Sequence, residues 1–421
     1  MTSATLAHGM PRDPSRLIGM GALVGLAYRQ GDIGGVWNRL LLRYAENPAD
    51  AAALLDMSVI LQTTGHRDKG LDIQRHALGL SRLFQRVHGR GDGLKVLVFM
   101  AEGDFMANTP VDFLMEGSNA TLWIVYVDGE TPELPDLPEH DVAFVAIGES
   151  EAAIPALENL NRLLRGWRGP IVNGDPKRIL ALTRDRVAAM FADEASIAAP
   201  PTVRLDRAAL EKLARGESGL PASLPEARFP ITVRPFGSHA GEGLEKIDSA
   251  EDLAAYLESR SEQRFYIAPF IDYAGPDGLY RKQRVAIVDG HPYPGHWATS
   301  RHWMVHYLNS GMLENEAWRA EEAAWMQNFE TDFAVRHAAA FEALTDKLGL
   351  DYVVIDCAET RDGRLLLFEA HVAMILHAMD PADIFPYKAP AMQRLFAAFQ
   401  AALQRRCRPA PAGTQKTAAR P

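Results

Sequence analysis

The sequence predicts an α+β core of two lobes, preceded by an α/β domain with a parallel sheet and, before that, a module built of helices alone. Three observations carry this reading. In the first ninety residues apolar side chains recur at helical spacing, from Leu40, Leu41 and Leu42 through Leu54, Leu55, Val59, Ile60 and Leu61 to Leu71, Ile73, Leu78 and Leu80. After a Gly-rich break the pattern changes to short apolar runs, Val96 to Met100, Leu122 to Val127 and Val142 to Ile147, with helical stretches between them. That is the signature of buried parallel strands joined by crossover helices. From Arg228 onward strands, a Gly-rich loop and helices mix without that regular alternation.

Composition narrows the function classes. The 421 residues are 47% hydrophobic and 23% charged, enough apolar matter for real cores and too much for a disordered chain. A net charge of −10 argues against nucleic-acid binding, which leaves a basic footprint. Two cysteines, Cys357 and Cys407, build neither a disulfide framework nor a zinc cage, and a reducing, cytoplasmic setting is expected. No apolar run reaches the roughly 18 residues of a membrane span. The run Ile18 to Ala27 has no cleavage-site pattern at its end, so no secretory signal is expected there.

Leu26 to Asp32 (LAYRQGD) is echoed 34 residues later by Ile60 to His66 (ILQTTGH), with Gly31 and Gly65 closing the first helix of each unit. That period is the tetratricopeptide (TPR) one, so residues 1–90 are read as a TPR-like helical module, with a generic helical bundle as the alternative. His88 to Gly93 reads as a linker. Residues 94–200 form the α/β domain. Residues 201–265 and 266–407 form the two lobes, with strands at Ile231–Val233, Phe265–Ile267, Gln283–Val288, Tyr352–Asp356 and Leu365–Ala370, and Ser249 capping a helix. Residues 408–421, rich in Pro, Ala and Gly, read as a disordered tail.

The most informative chemistry lies in 352–371. Asp362-Gly363 between two β-rich runs predicts a two-residue hairpin turn. Stepping outward, Arg361 faces Arg364, Thr360 faces Leu365, and Asp356 lands opposite Glu369, with His371 on the same face. Two opposed carboxylates beside a third polar side chain suit a Mg²⁺ ion shared with substrate phosphates; the bland alternative is a solvated hairpin face. Arg234 to Gly243 places three glycines in seven positions after a strand, able to close backbone N–H groups over anionic oxygens, though it is neither a P-loop nor a Rossmann fingerprint. Arg281, Lys282, Arg284 and Arg301 form a basic cluster in an acidic chain, suited to phosphate or to ordinary ion pairs. His302 and His306 share a helical spacing without the glutamate of a zinc protease, and a catalytic zinc is not expected. Cys357 reads as a buried thiol.

In this order the features from about residue 94 to 400 resemble the ATP-grasp superfamily, in the style of glutathione synthetase and the ribosomal-protein glutamate ligases. The resemblance is carried by Pro170 to Pro176, Thr183 to Arg186, Ala199 to Thr202, Phe229 to Pro235, Phe265 to Ile271, Gln283 to Gly290 with Ala298 to Arg301, and Leu348 to Asp356 with Phe368 to His371. It implies an ATP-dependent, ADP-forming ligase that joins a carboxylate to an amine or thiol through an acyl phosphate. It implies ATP at Arg186, Arg234, Gly237, Ser238, Gly241, Gly243, Phe270 and Ile271, and Mg²⁺ at Asp356, Glu369 and His371. Arg284 and Arg301 would be catalytic. The chain departs from the family pattern where arginine replaces lysine at 186 and 234, where His371 stands for an asparagine, and where Pro269 removes a hinge N–H. The His371 change favours Mn²⁺ over Mg²⁺. A small-molecule or peptide substrate with a carboxylate is implied, with the helical module as a surface for a peptide or protein partner. No nucleic acid or membrane is expected, and a homo-oligomer is compatible with the sequence. The alternatives are a nucleotide-binding scaffold with a degenerate site and an ATP-grasp kinase.

Overall fold

The structure, a computed structural model, describes residues 15–224, 228–238, 241–306 and 310–407. The tail from residue 408, and His239 and Ala240 of the glycine loop, lie outside the described residues.

The first region contains β1 (Arg16–Leu17), α1 (Met20–Tyr28), α2 (Ile33–Glu46), α3 (Ala51–Thr63), α4 (Arg67–Leu80) and β2 (Leu83–Val87). Asp32 and Asp50 start α2 and α3 by accepting the N–H groups of Gly35 and Ala53 at 2.7 and 2.8 Å. Gly65, at φ +85°, turns the chain out of α3. The helices fall into two pairs with the spacing of the sequence echo, but the region is not helices alone. β1 runs parallel to β2, and β2 pairs antiparallel with β4 (Thr121–Tyr126), so both belong to the sheet of the next domain. Leu54, Leu55, Leu78 and Phe84 are buried in the same core as Val98 and Val125. The expectation of a self-contained all-α module at 1–90 is thereby corrected. The linker reading at 88–93 is corrected as well: His88 is buried with Nε2 2.9 Å from Asp112 Oδ1, and the Gly93 N–H donates to Asn119 at 2.8 Å.

The α/β domain adds β3 (Lys95–Met100), α5 (Val111–Leu114), β5 (Val142–Val145), α6 (Ile154–Leu163) and β6 (Ile171–Val172). The six-stranded sheet has the order β1-β2-β4-β3-β5-β6, and β4, β3, β5 and β6 are parallel, as the apolar runs predict. α7 (Pro176–Leu180), α8 (Arg184–Met190) and β7 (Ile197–Ala198) lead into the first lobe. That lobe is an antiparallel sheet, β10-β9-β11-β8, made of β8 (Val203–Asp206), β9 (Ile231–Pro235), β10 (Glu245–Ile247) and β11 (Arg264–Pro269). It is covered by α9 (Arg207–Ala214) and α10 (Ala250–Glu258), the latter capped by Ser249 as expected, and it has a core of its own around Val233, Leu253 and Phe265.

The second lobe is a five-stranded sheet, β13-β12-β14-β15-β7, formed by β12 (Tyr280–Val288), β13 (His291–Ser300), β14 (Tyr352–Glu359) and β15 (Leu365–His371) together with β7. Helices α11 (Glu316–Asn328), α12 (Phe333–Arg336), α13 (Ala338–Leu348) and α14 (Lys388–Cys407) complete it. In α14 the Phe399 ring meets Phe144 and Tyr352 edge-on, with centroids 5.4 and 5.2 Å apart, so a single core joins this lobe to the α/β domain. Phe399→Ala, at a fully buried position shared by both, is expected to cost about 3–5 kcal/mol in chemical denaturation.

Candidate active site

The hairpin β14–β15 brings the acidic pair together by a route other than the expected one. The turn is a three-residue loop: Thr360 N–H donates to Arg364 O at 3.0 Å, and Gly363 takes φ +82°. This moves the register by one, pairing Glu359 with Leu365 and Cys357 with Leu367. A bulge at Phe368 then moves it back, and Asp356 sits opposite Glu369. On the other side Arg284 in β12 is directly opposite Asp356. Arg284, Asp356 and Glu369 thus form one row across three strands, with Lys282 two residues along β12 on the same face. The alternate residues of β12, Arg281 and Gln283, lie on the other face. Gln283 is buried, and Arg281 pairs with Asp277 and Glu321.

This row floors a cavity of about 490 Å³ between the two lobes, a size suited to a small-molecule ligand. Five basic residues line it, Arg184, Arg234, Lys282, Arg284 and Lys388, against three acids, Asp356, Glu369 and Asp380. Arg284 Nε and Nη2 grip Asp356 at 2.7 and 3.0 Å, and its Nη1 donates to Ile375 O at 3.1 Å. Lys282 Nζ lies 2.6 Å from the second Asp356 oxygen. Burial alone would push the Asp356 carboxyl up, but Arg284 and Lys282 hold it well below the ordinary range. Glu369 behaves alike: burial opposes its charge, while Arg184, which donates to its carboxylate, and Arg234 keep it ionised.

Arg234 enters from the other lobe. It pairs with no carboxylate among the described residues; its Nε and Nη2 donate to Ser238 Oγ at 3.3 and 3.1 Å. Burial, and then the nearby Arg184 charge, disfavour its protonated form. A guanidinium held this way, short of negative partners, attracts an anion. Ser238 holds the turn by donating to Pro235 O at 2.9 Å. Gly241 lines the cavity at φ +80°, where an added Cβ would sit 3.1 Å from Met304 Sδ; at Gly243, φ +64°, one would stand 2.7 Å from Pro235 Cδ. Gly237, at φ +70°, is exposed and outside the lining. The opposite end is apolar: Phe270 and Ile271 line it, with Trp303 edge-on to Phe270 at 5.5 Å. The Phe270 N–H is already bonded to Pro230 O at 3.1 Å.

Several expectations change. Arg186 is exposed on α8 and donates to Leu180 O, away from the cavity. Arg184, two residues earlier and therefore on the other side of that helix, is the one that reaches the site. Arg301 is exposed just past β13 and is not among the lining residues. The two nitrogens of His371 are engaged, Nδ1 accepting the Ala373 N–H at 3.0 Å and Nε2 meeting Glu149 O at 2.8 Å, which leaves no ring lone pair for a metal. Arg184→Ala is therefore expected to weaken binding of an anionic ligand by about tenfold or more, a charge-assisted bond's share. Arg186→Ala should leave it unchanged, with calorimetric titration of ATP as the measurement.

A divalent ion fits these residues poorly. Asp356 is 1% exposed with both oxygens in ion pairs, and Mg²⁺ usually keeps several waters. No group of three or more His, Cys, Asp or Glu among the described residues is placed to hold a metal. Cys357 is fully buried, its thiol pushed up by burial, and it takes no part. No helix among the described residues is long and apolar enough to cross a membrane.

No protein-family model and no curated protein matches the chain. Solved structures do align with it. D-alanine–D-alanine ligase from Bacillus anthracis, complexed with ATP, aligns at 13% identity over 75% of this chain and 97% of its own, with a TM-score of 0.43. VanG D-Ala:D-Ser ligase from Enterococcus faecalis aligns at 11% over 74% and 100%, TM-score 0.45. A RimK domain ATP-grasp protein from Sphaerobacter thermophilus aligns at 14% over 73% and 99%, TM-score 0.40. The chain's own sheets decide its architecture: a four-stranded antiparallel lobe and a five-stranded lobe line a charged cleft, preceded by an α/β domain, and this is the two-lobed α+β arrangement that the sequence predicts.

Proposed function

We propose that the chain is an ATP-dependent, ADP-forming ligase joining a carboxylate to an amine or thiol. The observation that carries this is the excess of basic over acidic side chains in the interlobe cavity, with Arg234 on one lobe and Lys282 and Arg184 facing it from the other side. The nucleotide's base would occupy the apolar end at Phe270 and Ile271, and its phosphates the basic floor. A substrate carboxylate oxygen attacks the terminal phosphorus and ADP leaves. The nucleophile then attacks the acyl carbon, phosphate departs, and the nucleophile's proton passes to solvent. Arg184, Arg234 and Lys282 balance the charge on the transferring group, and Arg284 keeps the floor in place through Asp356. Gly241 and Met304 approach each other at the cleft and would keep water from the acyl phosphate.

The acceptor end is bounded by Leu376, His377, Asp380 and Lys388. His377 lies 6.2 Å from Tyr28 of α1 and 6.3 Å from Phe113, ring to ring. Tyr28 of the first helix thus stands beside a lining residue, and a peptide or amino-acid carboxylate would be received on that side. The ion-paired state of Asp356 and Glu369 favours a second reading, a nucleotide-binding scaffold without turnover. The test is incubation with ATP and pools of amino acids and peptides, with and without Mg²⁺ or Mn²⁺, measuring ADP and phosphate. Equal release of both, dependent on two substrates, supports the ligase. Phosphate retained on product makes the chain a kinase, and tight ATP binding with no ADP makes it a scaffold.

A further inference from the structure

We propose that this cleft binds the polyphosphate of its nucleotide without a divalent cation, the positive charge coming from Lys282, Arg184 and Arg234. The inference rests on the nucleotide reading above. It departs from the metal use that the sequence resemblance implies, and it is drawn from the residues in the cleft.

A divalent ion between two carboxylates does two things: it neutralises them and presents a surplus of positive charge to phosphate oxygens. Here both tasks are already performed by side chains. Lys282 Nζ lies 2.6 Å from Asp356 Oδ2, and Arg284 takes both oxygens of the same carboxylate at 2.7 and 3.0 Å. Arg184 is paired with Glu369. The two acids are thus outnumbered, since Arg234 adds a fourth positive group from the facing lobe. An incoming divalent cation would meet net positive charge and would have to displace an ion pair at a carboxylate that is 1% exposed. The third expected ligand, His371, has both ring nitrogens engaged. A polyphosphate anion meets the opposite situation. Arg284 is spent on Asp356 and Ile375 O, but Lys282 has two further N–H donors, and Arg234 holds only Ser238.

Lys282 is set in place by strand geometry. It shares a strand face with Arg284, its neighbour Arg281 is turned to Asp277 and Glu321, and its ammonium reaches the carboxylate row at the cavity floor. A compact point charge at that position is a fair substitute for a small cation.

The experiment is calorimetric titration of the full chain with ATP, and with inorganic tripolyphosphate, in EDTA and again in excess Mg²⁺. The expected result is a Kd in EDTA within about threefold of that in Mg²⁺. Lys282→Gln should weaken binding in EDTA by about tenfold or more, Lys282→Arg should restore most of it, and Arg281→Gln should leave it unchanged. Thermal unfolding of each variant establishes that it is folded, and the Lys282→Arg rescue keeps the comparison meaningful if Lys282→Gln is unstable. Binding that requires Mg²⁺, with an affinity gain of about tenfold or more that Asp356→Asn removes, would overturn this inference and leave the nucleotide reading standing. Binding in neither condition overturns the nucleotide reading, and this inference falls with it.

Discussion

A chain beginning at Gly91 is expected to be recovered only as insoluble protein. The sequence alone places a domain boundary there, and truncation before Gly91 then looks harmless. The structure gives two reasons why it is not. First, β2 covers one edge of β4, and its removal exposes Thr121 to Tyr126, a run of Thr, Leu, Trp, Ile, Val and Tyr with no charge and no proline. A bare edge of that composition is a template for intermolecular pairing. Second, the cut removes every partner of Asp112. That carboxylate, 9% exposed, is met by Arg86 Nε at 2.8 Å, by His88 Nε2 at 2.9 Å and by the Gly21 N–H. Burial opposes its charge, and Arg86 and His88 overcome that and hold it far below the ordinary range. Leaving such a group unpaired costs about 3–5 kcal/mol, a large part of the stability of a typical domain. A cut before Ser15, which keeps β1 and β2, should by contrast yield soluble protein. Solubility and circular dichroism of the two truncations decide the matter, and a soluble, folded 91–421 chain would refute the argument.

Which parts of this were legible follows from the length and regularity of each signal. The parallel strands β3, β4 and β5 are continuous apolar runs and could be read directly. β1, two residues long, carries no periodicity at all, and in β2 the sequence Leu83-Phe84-Gln85-Arg86-Val87 follows a helix so closely that it reads as its continuation. The opposition of Asp356 and Glu369 was legible, but through two offsets that cancel: Asp362-Gly363 suggests a two-residue turn where three residues are used, and the bulge at Phe368 has no sequence mark. The alternation of Arg281, Lys282, Gln283 and Arg284 contained the information that only the second and fourth share the cavity face. The choice between Arg184 and Arg186 depends on the rotation of a seven-residue helix, which a motif match does not specify. The ion pairs of Asp356 depend on three strands meeting and were not legible in any one segment.

The second large effect is expected at Asp356. On the sequence reading, Asp356→Asn removes a metal ligand and leaves the fold intact. In the structure Asp356 is the counterion of two half-buried cations, Arg284 and Lys282, and adds a side-chain link to the backbone ladder between β12 and β14 beneath the cleft. Asp356→Ala leaves both cations uncompensated and should destabilise the chain by about 3–5 kcal/mol. Asp356→Asn keeps one acceptor oxygen and should lose less. The pH dependence distinguishes this from simple packing damage. Because the folded-state pKa of Asp356 is depressed, its contribution is fully present above the unfolded-chain value of about 4 and is lost as pH falls below that toward the folded value. Wild type and Asp356→Asn should therefore differ most in urea denaturation at neutral pH and converge as the pH is lowered below about 4. A constant gap between them across that range would mean that the ion pairs contribute nothing to stability. No gap at neutral pH would mean that Asp356 can be spared by the fold and is kept for a ligand.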